Sequence, residues 1–384
     1  MDSKRKLSHS EQKKYISLRR AFNKPVIGIT GYLGKSTTLE MLSSILESRG
    51  KVLKNAHGFG NWQNNIATLE KLNSEYDYAL FEFDYQRGNH FSEILRLIKP
   101  TIGIVTNIGD AHLNYLGNMM EIALEKSAVV KYLARDGVAI LNKDDELSSS
   151  LANYITKAKV VKYGLSPNSD YFATDIRQVG PEGINFRLNG EYEITLPLFS
   201  IPDVYNFLGA AASAVNLGFS LQEIVAIFKS GFQMSRGRGR LIKINNFYVL
   251  DESYVGTPRS VSKAARSLIA FKPYSEKLIY IVGDMTESGP NIEEQHLNMG
   301  YFLSALPIDY LITVGDYAGY IAKGASLIRT NHKKIFSVNT IDEILSVLND
   351  LVDDNAAISV KGIGSVAMHR IEKFLQTRFE NVHL

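Results

Sequence analysis

The stretch Val26-Ile-Gly-Ile-Thr-Gly-Tyr-Leu-Gly-Lys-Ser-Thr-Thr38 decides how the rest of the chain is read. Val26 to Ile29 are β-branched or small, which suits a strand buried on both faces of a parallel sheet. The run TLEMLSSIL (38–46) has apolar residues at helical spacing, so the glycine turn between them opens a helix. Such a turn suits an anion. Backbone N–H groups and the positive helix end hold oxygens, Gly31 and Gly34 allow close backbone approach, Lys35 reaches outer phosphates, and Ser36 offers a hydroxyl to Mg²⁺. The six-residue form GxxxxGK[ST] is not met, because Ile29 stands at its first glycine; the chain has the shorter TGxxGK[ST]TT. A plain strand-to-helix turn is the alternative, and the Lys-Ser-Thr-Thr tail weighs against it.

Composition narrows the remaining choices. A chain of 384 residues is long enough for two or three domains. Against 43 basic side chains stand 40 acidic ones, so no electrostatic footprint for nucleic acid or an anionic membrane is present. The absence of cysteine excludes disulfides, thiolate catalysis and Cys-ligated metal centres. Met1 to Arg20 is polar and basic without an apolar core, and no stretch reaches the roughly 18 apolar residues of a membrane span. The expectation is a soluble, cytoplasmic protein acting on small molecules.

Residues 1–24 read as a short amphipathic lead-in with a mostly solvated face. After the phosphate turn and its helix come a short strand at 51–54 and the loop HGFGNWQNNIATL, which enters a helix. DYALFEFD (77–84) and TIGIVTNIG (101–109) are two further strands, separated by a helix. This alternation is the pattern of a doubly wound parallel sheet, in which ligands gather at the carboxyl ends of strands. Three strand ends thus point to one edge: the turn after Ile29, Glu82 and Asp84, and Asn107 to His112. A carboxylate there suits Mg²⁺, which favours oxygen ligands; each residue taken alone is equally an ordinary strand-end or loop side chain. MMEIALEKSAVVKYLA (119–134) has helical period and carries Lys126, and DGVAILNKDDE (136–146) is strand, turn and acidic loop, where Asn142 and Asp144 either touch nucleotide or form a plain turn.

From Asp170 to Leu198 the pattern is antiparallel, read as a β insertion. The alanine-rich run 201–218 is a helix with Asn206 near its start. SRGRGRL (235–241) marks a hinge, beyond which β and α alternate again. The expected organisation is a lead-in (1–24), a central nucleotide-binding domain (25–235) with a doubly wound, mostly parallel sheet, and a second α/β domain (236–384).

In order and spacing, TGYLGKSTT, the Glu82 strand, TNIGDAHLNYLGNMMEIALEKS, LNKDDE, the helix with Asn206, GRGRL, LDESYVGTP, VGDMTESG with His296, ITVGDYA and VKGIGSVAMH add up to a pattern that resembles the Mur ligase family of ATP-dependent amide-bond-forming enzymes. It is nearest the D-alanyl-D-alanine-adding branch, and it covers most of the chain from Val26 onward. The resemblance implies that 25–235 is an ATP-binding domain and 236–384 a C-terminal Rossmann-like α/β domain, with ATP and two Mg²⁺ sites. Gly31, Gly34, Lys35, Ser36 and Thr37 would contact nucleotide phosphate, Asn206 would meet the adenine, Asn142 is the further nucleotide-contact candidate, Arg238 or Arg240 would reach phosphate, and Asp251 with Tyr254 would sit in the nucleotide cleft. Ser36, Glu82, His112 and Lys126 would be metal ligands, with Lys35, His112 and Lys126 closest to the chemistry. Lys126 falls where the family carries a carbamylated lysine. An ordinary lysine has a pKa near 10.4, so only about one in a thousand is neutral at pH 7; burial would free the amine to take up CO₂, and metals would stabilise the anion formed.

Three departures bear on the substrate. About 25 residues precede the phosphate turn, where family members that use a UDP-sugar carry a separate binding domain. DESYVGTP and KGIGSVAMH replace DSYNANP and KGSRSM, and Tyr205 stands where a histidine commonly precedes Asn206. The expectation is an ATP-dependent carboxylate–amine ligase working through an acyl phosphate, with a non-UDP or otherwise atypical acceptor and an amino acid or short peptide as amine. Alternatives are a relative that extends folates, builds poly-amino acids or amidates a tetrapyrrole, a regulatory module that keeps ATP but has lost ligation, and a P-loop kinase.

Overall fold

The computed structural model describes residues 7–55, 60–84, 90–109, 118–155, 158–245, 247–286, 291–328, 333–352 and 355–380. The chain divides into two compact units: Met1–Asp175 with Phe186–Ile194 and Ile201–Gly231, and Ile176–Asn185 with Thr195–Ser200 and Phe232–Leu384.

The sheet that begins in the first unit is centred on β1 (Val26–Thr30), every residue of which is buried. Its further strands are β2 (Val52–Lys54), β3 (Tyr78–Glu82), β4 (Ile102–Val105), β5 (Val138–Asn142), β6 (Lys159–Gly164), β7 (Tyr171–Gln178), β8 (Ile184–Leu188) and β9 (Tyr192–Leu196), in the spatial order β2-β3-β1-β4-β5-β6-β7-β8-β9. From β2 to β6 all neighbours are parallel. The carboxyl ends of β1, β3 and β4 therefore lie side by side, as Ile29 pairs with both Glu82 and Ile104. Parallel strands of this kind need cover on both faces. On one face Val26, Phe81 and Phe83 pack with Phe91, Ile94 and Leu95 of the helix His90–Ile98 and with Tyr15 and Phe22. The helix Ile201–Val215 buries Ala210, Ala211, Ala212 and Ala214, small side chains that permit close approach.

The lead-in forms a helix, His9–Ala21, capped by a reciprocal Ser8–Glu11 box. It is tied down by Arg19, whose guanidinium donates to the carbonyls of Phe22, Ile98 and Lys99. The single helix expected over 119–134 is divided at Ser127 into Met119–Lys126 and Ala128–Lys131. The Ser127 hydroxyl donates to the Leu124 carbonyl, a local bond that competes with helix continuation. β7, β8 and β9 are sheet neighbours; Asn189 and Gly190, both at positive φ, make the tight turn between β8 and β9.

The second unit holds β10 (Arg240–Ile244), β11 (Phe247–Glu252), β12 (Lys277–Gly283), β13 (Tyr310–Val314), β14 (Lys334–Val338) and β15 (Ala356–Lys361) in the order β10-β11-β15-β12-β13-β14. β10 is antiparallel to β11 and the rest are parallel. Alternation sends Val249, Ile279, Ile281 and Ile358 to one core and Leu250, Leu278, Tyr280 and Ala357 to the other. Both faces are thus covered by helices, as expected of a Rossmann-like sheet. Gly300 and Gly324 bring the helices Ile292–Ser304 and Ala318–Leu327 into contact, since a Cβ on Gly300 would lie 2.2 Å from the Ile321 carbonyl.

Candidate functional site

The turn after β1 has Gly31 at φ 152° and Gly34 at φ 86°, and the helix Lys35–Leu46 begins directly after it. Space as well as backbone conformation demands glycine here. A Cβ on Gly31 would meet Thr106 Oγ1 at 1.9 Å, and one on Gly34 would meet Asn206 Oδ1 at 2.0 Å. The end of β4 pins the turn from outside. Asn107 accepts from Leu33 N–H at 3.0 Å and donates to the Leu33 carbonyl at 2.9 Å, its own carbonyl accepts from Tyr32 N–H, and Thr106 Oγ1 donates to Leu33 O at 2.7 Å. A loop held in this way presents N–H groups without first having to be ordered, which lowers the entropic cost of binding.

Around the turn the structure gathers Lys35, Ser36, Glu82 and Lys126. Ser36 Oγ donates to Glu82 Oε2 at 2.7 Å, and Lys35 Nζ lies 2.9 Å from Asp84 Oδ1 while donating to the carbonyls of Gly31 and Tyr32. Burial pushes the Asp84 carboxyl up, but Lys35, by charge and hydrogen bond, and then Lys126 bring it below the ordinary aspartate value. Lys126, 3% exposed, donates to the Gly31 carbonyl at 3.0 Å. Glu82 is itself positioned from behind by Asn55, whose Oδ1 accepts the Glu82 N–H at 2.7 Å and whose amide donates to Asn65. His112 lies outside the described residues. Thr37 is buried in the first turn of the helix.

Asn206 sits against Gly34, with Thr38 Oγ1 donating to its Oδ1 at 3.4 Å and its amide donating to Asp203. Asn142 is buried in a turn: it donates to the Thr106 carbonyl at 3.0 Å and accepts from Asp144 N–H at 3.0 Å. Tyr205 donates to Asp144 Oδ2 at 2.9 Å, and burial followed by that bond pushes its phenol up. In the second unit Arg238, Asp251 and Tyr254 form a cluster of their own. The Arg238 guanidinium stacks 3.9 Å from the Tyr254 ring centre, and Asp251 accepts from Gly237 N–H at 2.8 Å and from the Ser253 hydroxyl. Arg240 opens β10 opposite Asp251.

The sequence reading named Asn107 and Asp84 only as strand ends and passed over Thr106 and Asn55. The signal for Thr106 and Asn107 was their place directly after a buried strand on the edge that receives the phosphate turn. Nothing local marked Asn55.

Among the described residues no group of three or more His, Cys, Asp or Glu side chains is spaced to hold a metal. The oxygen donors of Ser36 and Glu82, adjoining at the mouth of the turn, are of the type Mg²⁺ prefers.

A strand, a glycine turn and a helix that present an ammonium and a hydroxyl at the carboxyl edge of a parallel sheet define a P-loop nucleotide-binding protein. The chain matches the Mur ligase middle domain over residues 29–214 and the Mur ligase glutamate ligase domain over residues 237–364. The UDP-N-acetylmuramoyl-tripeptide–D-alanyl-D-alanine ligase of Escherichia coli is 30% identical over 364 residues, covering 91% of this chain and 76% of that protein. The ligase of the same name from Synechocystis is 30% identical over 317 residues, 81% of this chain and 67% of its own length. Among solved structures, MurF from Acinetobacter baumannii superposes with a TM-score of 0.82 at 26% identity over 96% of this chain and 80% of its own. MurF from Thermotoga maritima in complex with ADP has the same fold, with a TM-score of 0.80 at 18% identity, over 99% of this chain and 87% of its own. The chain therefore belongs to the Mur ligase family and is an ATP-dependent, ADP-forming ligase. No helix among the described residues is long and apolar enough to cross a membrane.

Proposed function

We propose that the protein joins a carboxylate to the amine of an amino acid or short peptide through an acyl phosphate, releasing ADP and phosphate. The observation that carries this reading is the phosphate turn itself. Gly31 and Gly34, both at positive φ, let the turn pack closely against Thr106 and Asn206, and Lys35 stands at the turn as the cation that offsets charge developing on a transferred phosphoryl group. The acceptor carboxylate attacks the γ-phosphoryl group of ATP and displaces ADP. The amine then attacks the acyl carbon, loses a proton and expels phosphate. Ser36 and Glu82 would hold Mg²⁺, which supplies charge neutralisation on the phosphates. Lys126, buried beside the Gly31 carbonyl, is the candidate for carbamylation, with His112 as a further ligand. Arg238, Arg240, Asp251 and Tyr254 are the nucleotide-contact candidates of the second unit, and Asn142 and Asn206 those of the first.

The relatives' names specify UDP-N-acetylmuramoyl-tripeptide as acceptor and D-alanyl-D-alanine as amine. That pair is the first to assay, beside other carboxylates and amines, because the altered DESYVGTP and KGIGSVAMH segments bear on the incoming substrate. The test follows ADP release with each acceptor and amine, singly and together. Release that requires both supports ligation; slow release indifferent to either sinks it. Lys126→Ala should lose at least 100-fold in kcat, and full activity in that variant, with or without bicarbonate, would remove the carbamate.

A further inference from the structure

Both side chains that the phosphate turn offers to a nucleotide are already engaged by the end of β3. Glu82 accepts from Ser36 Oγ at 2.7 Å, and Asp84 Oδ1 lies 2.9 Å from Lys35 Nζ. The second pair is more than a chance surface contact. The Lys35 side chain is only 14% exposed, and Asp84 is fixed on its other side by Gly60, whose N–H donates to Asp84 Oδ2 at 3.2 Å and whose carbonyl accepts from Asp84 N–H at 3.0 Å. A Cβ on Gly60 would lie 2.6 Å from the Asp84 nitrogen, so this approach depends on a glycine. Asp84 thus places an ionised oxygen within ion-pair distance of the ammonium that a phosphate oxygen needs.

We propose that Asp84 is the internal counter-ion of the phosphate turn: it keeps Lys35 neutralised and oriented while the site is empty, and nucleotide phosphate must take Lys35 over from it. Asp84 is then an affinity-setting, positioning residue. It weakens nucleotide binding by competing for the same cation, and it adds like-charge repulsion against a phosphate that enters without a divalent cation. The inference rests on the nucleotide-binding reading above.

The test is equilibrium binding of ADP and ATP by calorimetry, in EDTA and in excess Mg²⁺, for the wild type, Asp84→Asn, Asp84→Ala and Asp84→Glu. Asn keeps an acceptor for Gly60 N–H, so the loop remains satisfied in that variant. In EDTA, Asp84→Asn and Asp84→Ala should bind about three- to thirty-fold tighter than wild type, and Asp84→Glu should return toward it. The gain should shrink in high salt, because screening weakens the competition it reports. Equal or weaker binding by Asp84→Asn in EDTA overturns the proposal. So does a loss of affinity confined to Mg²⁺, which would make Asp84 a metal ligand instead. If the wild type binds and the variants gain nothing, only this inference fails; if neither wild type nor variants bind under any condition, the nucleotide-binding reading fails with it.

Discussion

Replacing Glu252 by Gln should destabilise the second unit by about 3 kcal/mol at pH 7, and the loss should fade as pH rises. Glu252 ends β11 and pairs in register with Lys361 at the end of β15. Both are buried, Glu252 at 4% and Lys361 at 3% exposure. The carboxylate serves two cations, lying 3.3 Å from Lys263 Nζ and 3.9 Å from Lys361 Nζ. Burial pushes Lys361 down to about 8 from 10.5, with Glu252 opposing that shift and Lys263 adding to it. An ammonium lowered that far costs the folded state roughly 3 kcal/mol while it is charged. The sign follows from proton counting. Between about pH 8 and 10.5 the unfolded chain binds more protons than the folded one, so this contribution makes stability rise with pH there; below about pH 8 the cost is fully present. Taking away Glu252 leaves Lys361 buried without its anion at pH 7, in the range of about 3–5 kcal/mol for breaking a buried pair, and the 3.9 Å separation argues for the lower end. At pH 10 Lys361 is largely neutral in the folded state and only the partner of Lys263 is lost, about 1 kcal/mol. Urea denaturation at both pH values, followed by far-UV circular dichroism, measures the difference. Trp62, the one tryptophan, belongs to the first unit and serves as an internal control, since its emission transition should move less. A loss under about 1 kcal/mol at pH 7, or an equal loss at both pH values, would refute the reasoning.

Other perturbations test separate parts of the argument. Gly34→Ala needs an unfavourable positive φ and drives a Cβ to 2.0 Å from Asn206 Oδ1; ADP binding measured by calorimetry should weaken at least tenfold, with a stability loss of about 2 kcal/mol. Arg19→Ala removes the bonds to three carbonyls and should cost about 2 kcal/mol, read in the Trp62 transition. Gly300→Ala must push apart the helices Ile292–Ser304 and Ala318–Leu327 and should lower the stability of the second unit by about 3 kcal/mol, while Gly319→Ala, whose nearest neighbour would be 3.7 Å away, should cost under 1 kcal/mol. Equal effects of these two substitutions would show that the close helix contact does not govern packing there.

What could be read from the sequence and what could not divide along the range of the interactions. The phosphate turn was legible because its signals are contiguous: an apolar run, two glycines four residues or fewer from the lysine, and a helical period thereafter. Strand and helix alternation, and with it the parallel sheet, followed from the same local periodicities. Period two marked β7, β8 and β9 as strands, yet it carries no information about the body a strand joins, and parts of β7, β8 and β9 are grouped with the second unit. Ion pairs are less legible still. Lys35 and Asp84 are far apart in sequence and meet only because β3 lies beside β1, and Glu252 meets Lys361 only through the register of β11 with β15. Asn206 shows the same limit in another form. Its type and helical position suggested a polar contact, but its place against Gly34 depends on the helix Ile201–Val215 packing on the helix Lys35–Leu46, which the alanine run permits without specifying. A polar residue on a packed face is thus given its partner by tertiary geometry. That is why the turn identified the chemistry while the pairing of Asp84 with its lysine had to be found in the fold.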